Sequence, residues 1–246
     1  MRVTHAGVIK GVEHSQSGER AVSGANQRYY EVWVGRQRSG KTTALRARAR
    51  ALAADPAVSS VWILDRTNEW PGRFEYEFTR YASVADYLAD EDPDLPRVIV
   101  WQCGHDPAAY DEVWTEAIEV GNVAIIADEC YQFAPAGPKF SGSPDLERIC
   151  LSGRHLQNAE GEHCVTHLVL ALQYPRTMHH LLWSQAEEVY CGLIMGEQSR
   201  TWVKHAFDRS DFAALDAVDQ VDRYDFVPLI EPEKGLPDLP GYGPRG

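Results

Sequence analysis

Six short apolar runs punctuate the chain: "YEVWV" at 30–34, "VWIL" at 61–64, "RVIVWQ" at 97–102, "NVAIIAD" at 122–128, "THLVLALQ" at 166–173 and "VYCGLI" at 189–194. They are rich in β-branched or aromatic residues and lack strict alternation between apolar and polar positions. That is the pattern of strands covered on both faces, since a one-sided sheet shows every second residue to water. Helical patterns lie between them. In "DPAAYDEVWTEAIEVG", Tyr110, Val113, Trp114, Ala117 and Ile118 fall on one face, with Asp106-Pro107 as N-cap and first turn. Strands alternating with helices predict an α/β fold with a mostly parallel central sheet flanked by helices. The ends differ in character. Residues 1–28 read as a polar N-terminal segment, 29–230 as the folded domain, and 231–246, rich in proline and glycine, as an extended tail.

Candidate chemistry begins where the first run ends. Gly35-Arg36-Gln37-Arg38-Ser39-Gly40-Lys41-Thr42 fits G-x-x-x-x-G-K-[ST], the Walker A pattern, and Thr43 follows it. Glycines let backbone N–H groups turn inward around phosphates, and the helix that follows adds its positive end. In this reading residues Gly35 to Thr43 bind ATP, Lys41 neutralises β- and γ-phosphate charge, and the Thr42 hydroxyl binds Mg²⁺. A second element agrees with it. "NVAIIADE" is a buried-strand run ending in adjacent acids, a Walker B arrangement. Asp128 is placed on the Mg²⁺ hydration shell, and Glu129 as the group that polarises the attacking water. Together the two motifs predict a Mg²⁺-dependent ATPase.

Four further stretches set the kind of P-loop protein: "LDRTNEW" after the second run, "LSGRHLQ", "LALQYPR", and "LLWSQAEEVYCGLI". In this order they resemble the FtsK–HerA superfamily of DNA-pumping ATPases, over about residues 29 to 195. The resemblance implies a RecA-like core in which the strand ending at Gln173 lies between the P-loop strand and the Walker B strand. Gln173 would then act as a sensor of the γ-phosphate or the attacking water. It further implies that Arg154, in the "GRH" segment, reaches the neighbouring subunit's nucleotide as an arginine finger, with Arg148 and Arg176 competing for that assignment. A homo-oligomer, most simply a hexameric ring around double-stranded DNA, follows from it. The chain is little larger than such a core, which is similar to the genome-packaging ATPases of membrane-containing icosahedral viruses. That similarity implies a protein of the host cytoplasm, or one associated with the virion, that docks on a capsid vertex or viral membrane protein. One departure stands out: the family commonly has glycine where this loop has Arg38, and Arg36 adds a second large cation.

Other readings compete with the translocase. A filamentous-phage assembly ATPase of the Zot type or a conjugation-related ATPase shares part of the motif order. A nucleotide-dependent switch needs both Walker motifs but no finger, and a small-molecule kinase normally needs an arginine-rich lid that is not evident.

Composition narrows the picture further. The 246 residues carry a formal net charge of −12, which argues against a surface that coats nucleic acid generally. DNA contacts are therefore expected to be local, near Arg176 and His179-His180 or from Arg200 to Lys204. No apolar run approaches the ~20 residues of a membrane-spanning helix, and the N-terminus lacks the apolar core of a signal peptide. A cytosolic location is the expectation. Cys103, Cys130, Cys150, Cys164 and Cys191 form no C-x-x-C pair. The cluster His163, Cys164 and His167 lacks a second ligand pair, so it reads as the polar approach to a strand and not as a metal site.

Overall fold

The computed structural model describes residues 28–68, 70, 78–90, 97–192, 201, 203 and 226–230. In chain order the elements begin with β1 (Tyr30–Val34), α1 (Lys41–Ala53), β2 (Ser60–Leu64), β3 (Thr79–Tyr81), α2 (Val84–Leu88) and β4 (Val98–Trp101). Then come α3 (Asp111–Val120), β5 (Val123–Ala127), α4 (Pro144–Ser152), and a small hairpin of β6 (Leu156–Gln157) and β7 (His163–Cys164). The order ends with β8 (His167–Leu172), α5 (His180–Ser184), β9 (Glu188–Cys191) and β10 (Val227–Ile230). Among the described residues eight strands form one sheet in the order β10-β9-β1-β8-β5-β2-β4-β3. All neighbouring pairs are parallel except β10, which runs antiparallel to β9. The predicted α/β fold with a mostly parallel sheet is what the chain adopts.

Both faces of the sheet are covered, as the apolar runs require. Along each central strand the side chains alternate between two cores. Trp33, Val61, Ile63, Ile126 and Val169 pack on the side of α1, with Leu45, Ala49 and Leu52. Val32, Trp62, Ile125 and Leu170 pack on the other side, with Val113, Trp114, Ala117 and Ile118 of α3 and Leu146 and Ile149 of α4. The face of α3 read from the sequence is the buried one. Its approach is a 3-10 turn at Pro107–Tyr110, and the Asp106 side chain accepts from Ala108 N.

Some boundaries differ from the sequence reading. Gln102, Asp128 and Gln173 lie just past the ends of β4, β5 and β8, so each polar side chain sits at the sheet edge. β3 and β10 were not anticipated, because three or four residues at a sheet margin carry too short a pattern. The His163, Cys164 and His167 group divides between β7 and β8, and no cluster of three metal-ligating side chains occurs among the described residues. His167 is buried, and its Nδ1 accepts from Tyr29 N at 3.0 Å; burial and nearby Arg48 push its pKa down to about 3. It is a neutral core histidine. The 231–246 tail, residues 1–27, Glu69, Arg200 and Lys204 lie outside the described residues.

One polar cluster is sealed inside the sheet. Glu31 of β1 and Glu188 of β9 are paired directly across two parallel strands, and both are buried. A single arginine, Arg48 of α1, forms an ion pair with Glu31 and lies 4.6 Å from the centre of the Tyr29 ring. Trp33 Nε1 also donates to Glu31 at 3.2 Å, and the Tyr190 hydroxyl donates to Glu188. Two buried carboxylates share one guanidinium, so the second keeps its proton more readily. Burial, then the neighbouring Glu31, raise the pKa of Glu188 to about 7.

The folded state therefore holds a proton on Glu188 that the unfolded chain releases near its ordinary value of 4.5. This group's contribution falls as pH rises from that value to about 7 and is level above. Glu188→Gln removes the dependence while keeping an acceptor for Tyr190. Urea unfolding of the two proteins at pH 5 and pH 8 should show the variant gaining on wild type by about 1–3 kcal/mol at the higher pH. A difference that is flat across that range rejects the assignment.

Candidate functional site

β1, β8 and β5 are parallel neighbours, so their C-terminal ends share one edge of the sheet. The register pairs Val34 with Leu172 and Leu170 with Ala127. Whatever follows those strands must therefore meet, and the loop after β1, Gln173 after β8 and Asp128-Glu129 after β5 do so. This edge, beside the central strands, is where open α/β sheets bind ligands. The expected place of the strand ending at Gln173, between the other two, is the observed one.

The loop from Gly35 to Gly40 is a tight cradle. Gly35 is fixed by close approach: a Cβ there would stand 2.5 Å from Ser39 Oγ. Gly40 has φ of 92° and ψ of 6°, a left-handed conformation that glycine adopts without strain. Arg38 also has a left-handed φ, 62°. A left-handed backbone of this kind suits glycine, and it costs about 1 kcal/mol for a residue with a Cβ. The departure noted in the sequence changes the side chain and leaves the left-handed turn in place.

Helix α1 begins immediately after the cradle. Its N-cap is Gly40, which offers no side-chain acceptor, and its first turn contains no acidic residue. The exposed N–H groups and positive end of the helix are therefore not neutralised by the sequence itself. Lys41 is buried, and its Nζ donates to the carbonyls of Gly35 at 2.9 Å and Arg36 at 3.2 Å, across the mouth of the loop. Ser39 Oγ is buried and has no hydrogen-bond partner among the described residues. An uncapped helix start, a buried ammonium and an orphaned hydroxyl fit a polyanionic occupant such as a nucleotide's phosphates.

The Thr42 hydroxyl donates to Asp128 Oδ2 at 2.8 Å. This joins α1 to the end of β5 and gathers hard oxygen donors, the kind Mg²⁺ takes beside phosphates. Asp128 Oδ1 accepts from Glu129 N at 3.0 Å, so the carboxylate is oriented through both oxygens. Glu129 has φ of 53° and ψ of 43°. A glutamate held in the left-handed region is uncommon and clusters at functional sites. The turn swings the side chain back towards β8, where Gln173 Nε2 donates to Glu129 Oε1. The next residue, Cys130, is buried; burial first, then Glu129 and Asp128, push its thiol well up, so it stays protonated.

The residues from Gly35 to Thr43, Asp128, Glu129 and Gln173 are thus brought together. Arg154 is not. It follows the C-terminal end of α4, and Gly153 O accepts from Thr166 N at 2.9 Å just before β8 begins. Its guanidinium pairs with Glu187, at 2.6 Å from Nη2 and 3.1 Å from Nε. Glu187 N in turn donates to Tyr30 O at the start of β1. Arg154 therefore sits at the N-terminal edge of the sheet, a full strand of roughly 16 Å from the loop that follows Val34. Arg148 lies on α4, half exposed and 3.9 Å from Asp145. Arg176 lies in a 3-10 turn shortly after Gln173, on the nucleotide side. Of the neighbouring histidines, His180 is exposed and His179 is buried against Phe140.

Further residues at the site edge, some of them in the "LDRTNEW" stretch, were given no role in the sequence reading. Buried Asp65, after β2, accepts from Trp70 N at 3.2 Å and from Gln102 Nε2 at 2.9 Å, which shapes the "DRTNEW" loop. Arg66 donates to Gln132 Oε1 in the turn after Glu129. These links tie β2 and β4 to the Walker B turn, and they come from polar residues spaced dozens of positions apart.

No family model matches the sequence, and no curated protein matches it. The fold is matched by solved structures. The genome packaging NTPase B204 from Sulfolobus turreted icosahedral virus 2, in complex with ATP-gammaS, superposes with a TM-score of 0.62 at 18% identity, covering 82% of this chain and 91% of that one. B204, the DNA-packaging ATPase from Sulfolobus turreted icosahedral virus, gives 0.59 at 18% identity over 80% and 90%. VirB4 of Thermoanaerobacter pseudethanolicus gives 0.53 at 11% identity over 85% and 88%. At these identities the likeness establishes a shared P-loop fold, as the sequence resemblance led one to expect.

The left-handed turn at Arg38 has a direct consequence. Arg38→Gly should raise stability by about 0.5–1 kcal/mol, read as a small upward shift in thermal midpoint. Arg38→Val should lower it, since a β-branched residue resists that conformation. Equal stabilities for the two variants count against a strained turn.

Proposed function

We propose that this chain is an ATP-driven translocase of double-stranded DNA, a viral genome-packaging motor of the FtsK–HerA kind. The observation that carries the proposal is the split between the two edges of the sheet. The C-terminal edge holds a phosphate cradle, an Asp128–Thr42 metal pair and a Glu129–Gln173 pair. The finger-like arginine, Arg154, stands at the other edge, out of reach of its own subunit's cradle. A site divided in this way is completed when the N-terminal edge of one copy meets the C-terminal edge of the next. Such a head-to-tail contact closes into a ring if the rotation closes, most simply a hexamer. The fold shared with B204, across nearly the whole of that packaging NTPase, supports the motor reading.

Each residue then has a task. The backbone of Gly35 to Thr43 and the Lys41 ammonium hold the β- and γ-phosphates. Thr42 and Asp128 hold Mg²⁺, which when bound neutralises phosphate charge. Glu129 takes the proton of the attacking water, and Gln173 orients Glu129 through its amide. Arg154 of the neighbouring subunit supplies positive charge to the transition state, an effect typically worth about 10³–10⁵ in rate. DNA passes through the ring and is held by a few cations on its phosphates, which suits an acidic chain. Arg176 and His180, exposed just beyond Gln173, are the candidates we assign to that contact. The motor works in the host cytoplasm, docked to a capsid vertex or viral membrane protein.

Unrelated DNA duplexes should stimulate ATP hydrolysis to similar extents, with affinity falling steeply as salt rises. Glu129→Gln should bind ATP yet lose turnover, because the carboxylate acts on water and not on the nucleotide. Lack of stimulation by any duplex at low salt favours a nucleotide switch. In mixing experiments, Arg154→Ala subunits should depress wild-type ATPase activity by more than their share of the mixture. A strictly proportional loss refutes action in trans.

A further inference from the structure

The end of α4 is built around a second arginine. Arg28 stands just before β1, yet it is 4% exposed. Its guanidinium donates to three backbone carbonyls: Ile149 at 2.6 Å, Cys150 at 3.2 Å and Thr166 at 3.2 Å. Two of these belong to the last turn of α4: Ile149 O, which also accepts from Gly153 N at 3.0 Å, gains a second donor, and Cys150 O gains one, so Arg28 braces the C-terminal end of that helix. The third precedes β8. The guanidinium also lies 4.6 Å from the centre of the Tyr30 ring.

Gly153, the residue between α4 and Arg154, rests on this guanidinium. A Cβ at Gly153 would stand 2.7 Å from Arg28 Cζ and 2.6 Å from Ile149 O. The glycine of the "GRH" segment is therefore required by close approach, since its φ is an ordinary −57°. The contacts close into a circuit. Arg154 pairs with Glu187, Glu187 N donates to Tyr30 O at 2.9 Å, and Tyr30 carries Arg28 over its ring. Charge alternates in the same order, with Glu187 near both arginines. A guanidinium can send donors to three carbonyls at fixed angles, which an ammonium on a flexible stem cannot reproduce.

We propose that Arg28 is a positioning residue for Arg154: it braces the end of α4 and the backbone of Gly153, and so sets where the arginine stands that serves the neighbouring subunit's nucleotide. The inference rests on the reading of Arg154 as acting in trans. Arg28 touches neither nucleotide nor metal, and its effect on turnover passes through Arg154 alone.

The test is a double-mutant cycle in DNA-stimulated ATPase activity, with wild type, Arg28→Lys, Arg154→Ala and the double variant. Arg28→Lys should lower kcat about tenfold or more and leave the KM for ATP within about twofold, because the cradle is untouched. Added to Arg154→Ala, it should cause no further loss. Gly153→Ala, which displaces the same guanidinium from the other side, should reproduce the pattern and carries the cycle alone if Arg28→Lys fails to fold. Losses that multiply in the double variant, a raised KM, or wild-type turnover by Arg28→Lys overturn the proposal. Wild-type turnover by Arg154→Ala overturns the trans reading itself, and the Arg28 inference falls with it.

Discussion

The parallel register of β1, β8 and β5 is the constraint on which the rest of the site depends. Parallel strands deliver their ends to the same edge, so the three segments that follow them converge without any long loop. The strands are buried on both faces, and slippage is resisted because a one-residue shift would move every side chain into the opposite core. On its other side β1 is held against β9 on the α1 face, where Trp33 stacks on Tyr190 at 4.1 Å and Phe226 stands edge-on to Trp33 at 5.2 Å. The catalytic geometry is thus inherited from packing, and the polar side chains at the edge need only short turns to meet.

Those turns are where the chain gives up local comfort. Arg38, Gly40 and Glu129 all carry left-handed backbone, and two of the three have side chains. Those two each cost about 1–2 kcal/mol that the surrounding sheet has to offset. At Glu129 the reason is legible in the contacts. The left-handed turn reverses the chain directly after β5, so that Asp128 faces Thr42 while Glu129 faces Gln173. An ordinary backbone at Glu129 would direct the two adjacent carboxylates apart without bringing both to β8 and α1. Strain here sends two adjacent carboxylates to different partners, Asp128 to Thr42 and Glu129 to Gln173.

Much of this was readable from the residues, and the boundary of legibility is physical. The buried strands announced themselves as continuous apolar runs, and α3 by its periodic face. The loop after β1, Asp128 and Glu129 were singled out because phosphate and metal chemistry demand fixed residue types at fixed spacing, and the fold brings them to one edge of the sheet. Long-range polar pairing leaves no such trace. Arg28 was read as part of a polar N-terminal segment, since nothing local distinguishes a buried guanidinium from a solvated one; its three acceptors lie more than 120 positions away. The Glu31, Arg48 and Glu188 cluster was hidden likewise: Glu31 lies inside an apolar run, Glu188 just before one, and Arg48 among the arginines of α1. The left-handed backbone at Arg38 could not be read from an arginine, which carries no preference for it.

Seen from the sheet's two edges, the arginines divide by task. Arg28 and Arg48 are buried, satisfied by carbonyls or a carboxylate, and fix α4 and α1 against β1 from opposite faces. Arg154 is half exposed and held by one carboxylate, Glu187, in its own subunit. An exposed ion pair of this kind is worth at most about 1 kcal/mol. In the proposed ring, a neighbouring nucleotide would offer several phosphate charges where Glu187 offers one, so Arg154 could exchange partners at small cost. Its own placement changes little in that exchange, because Gly153 and α4 stay pinned to Arg28. On the proposed reading, an arginine on a rigid base with a weak resting partner needs no large rearrangement to engage, and in the proposed ring each subunit can then respond to the nucleotide of the next.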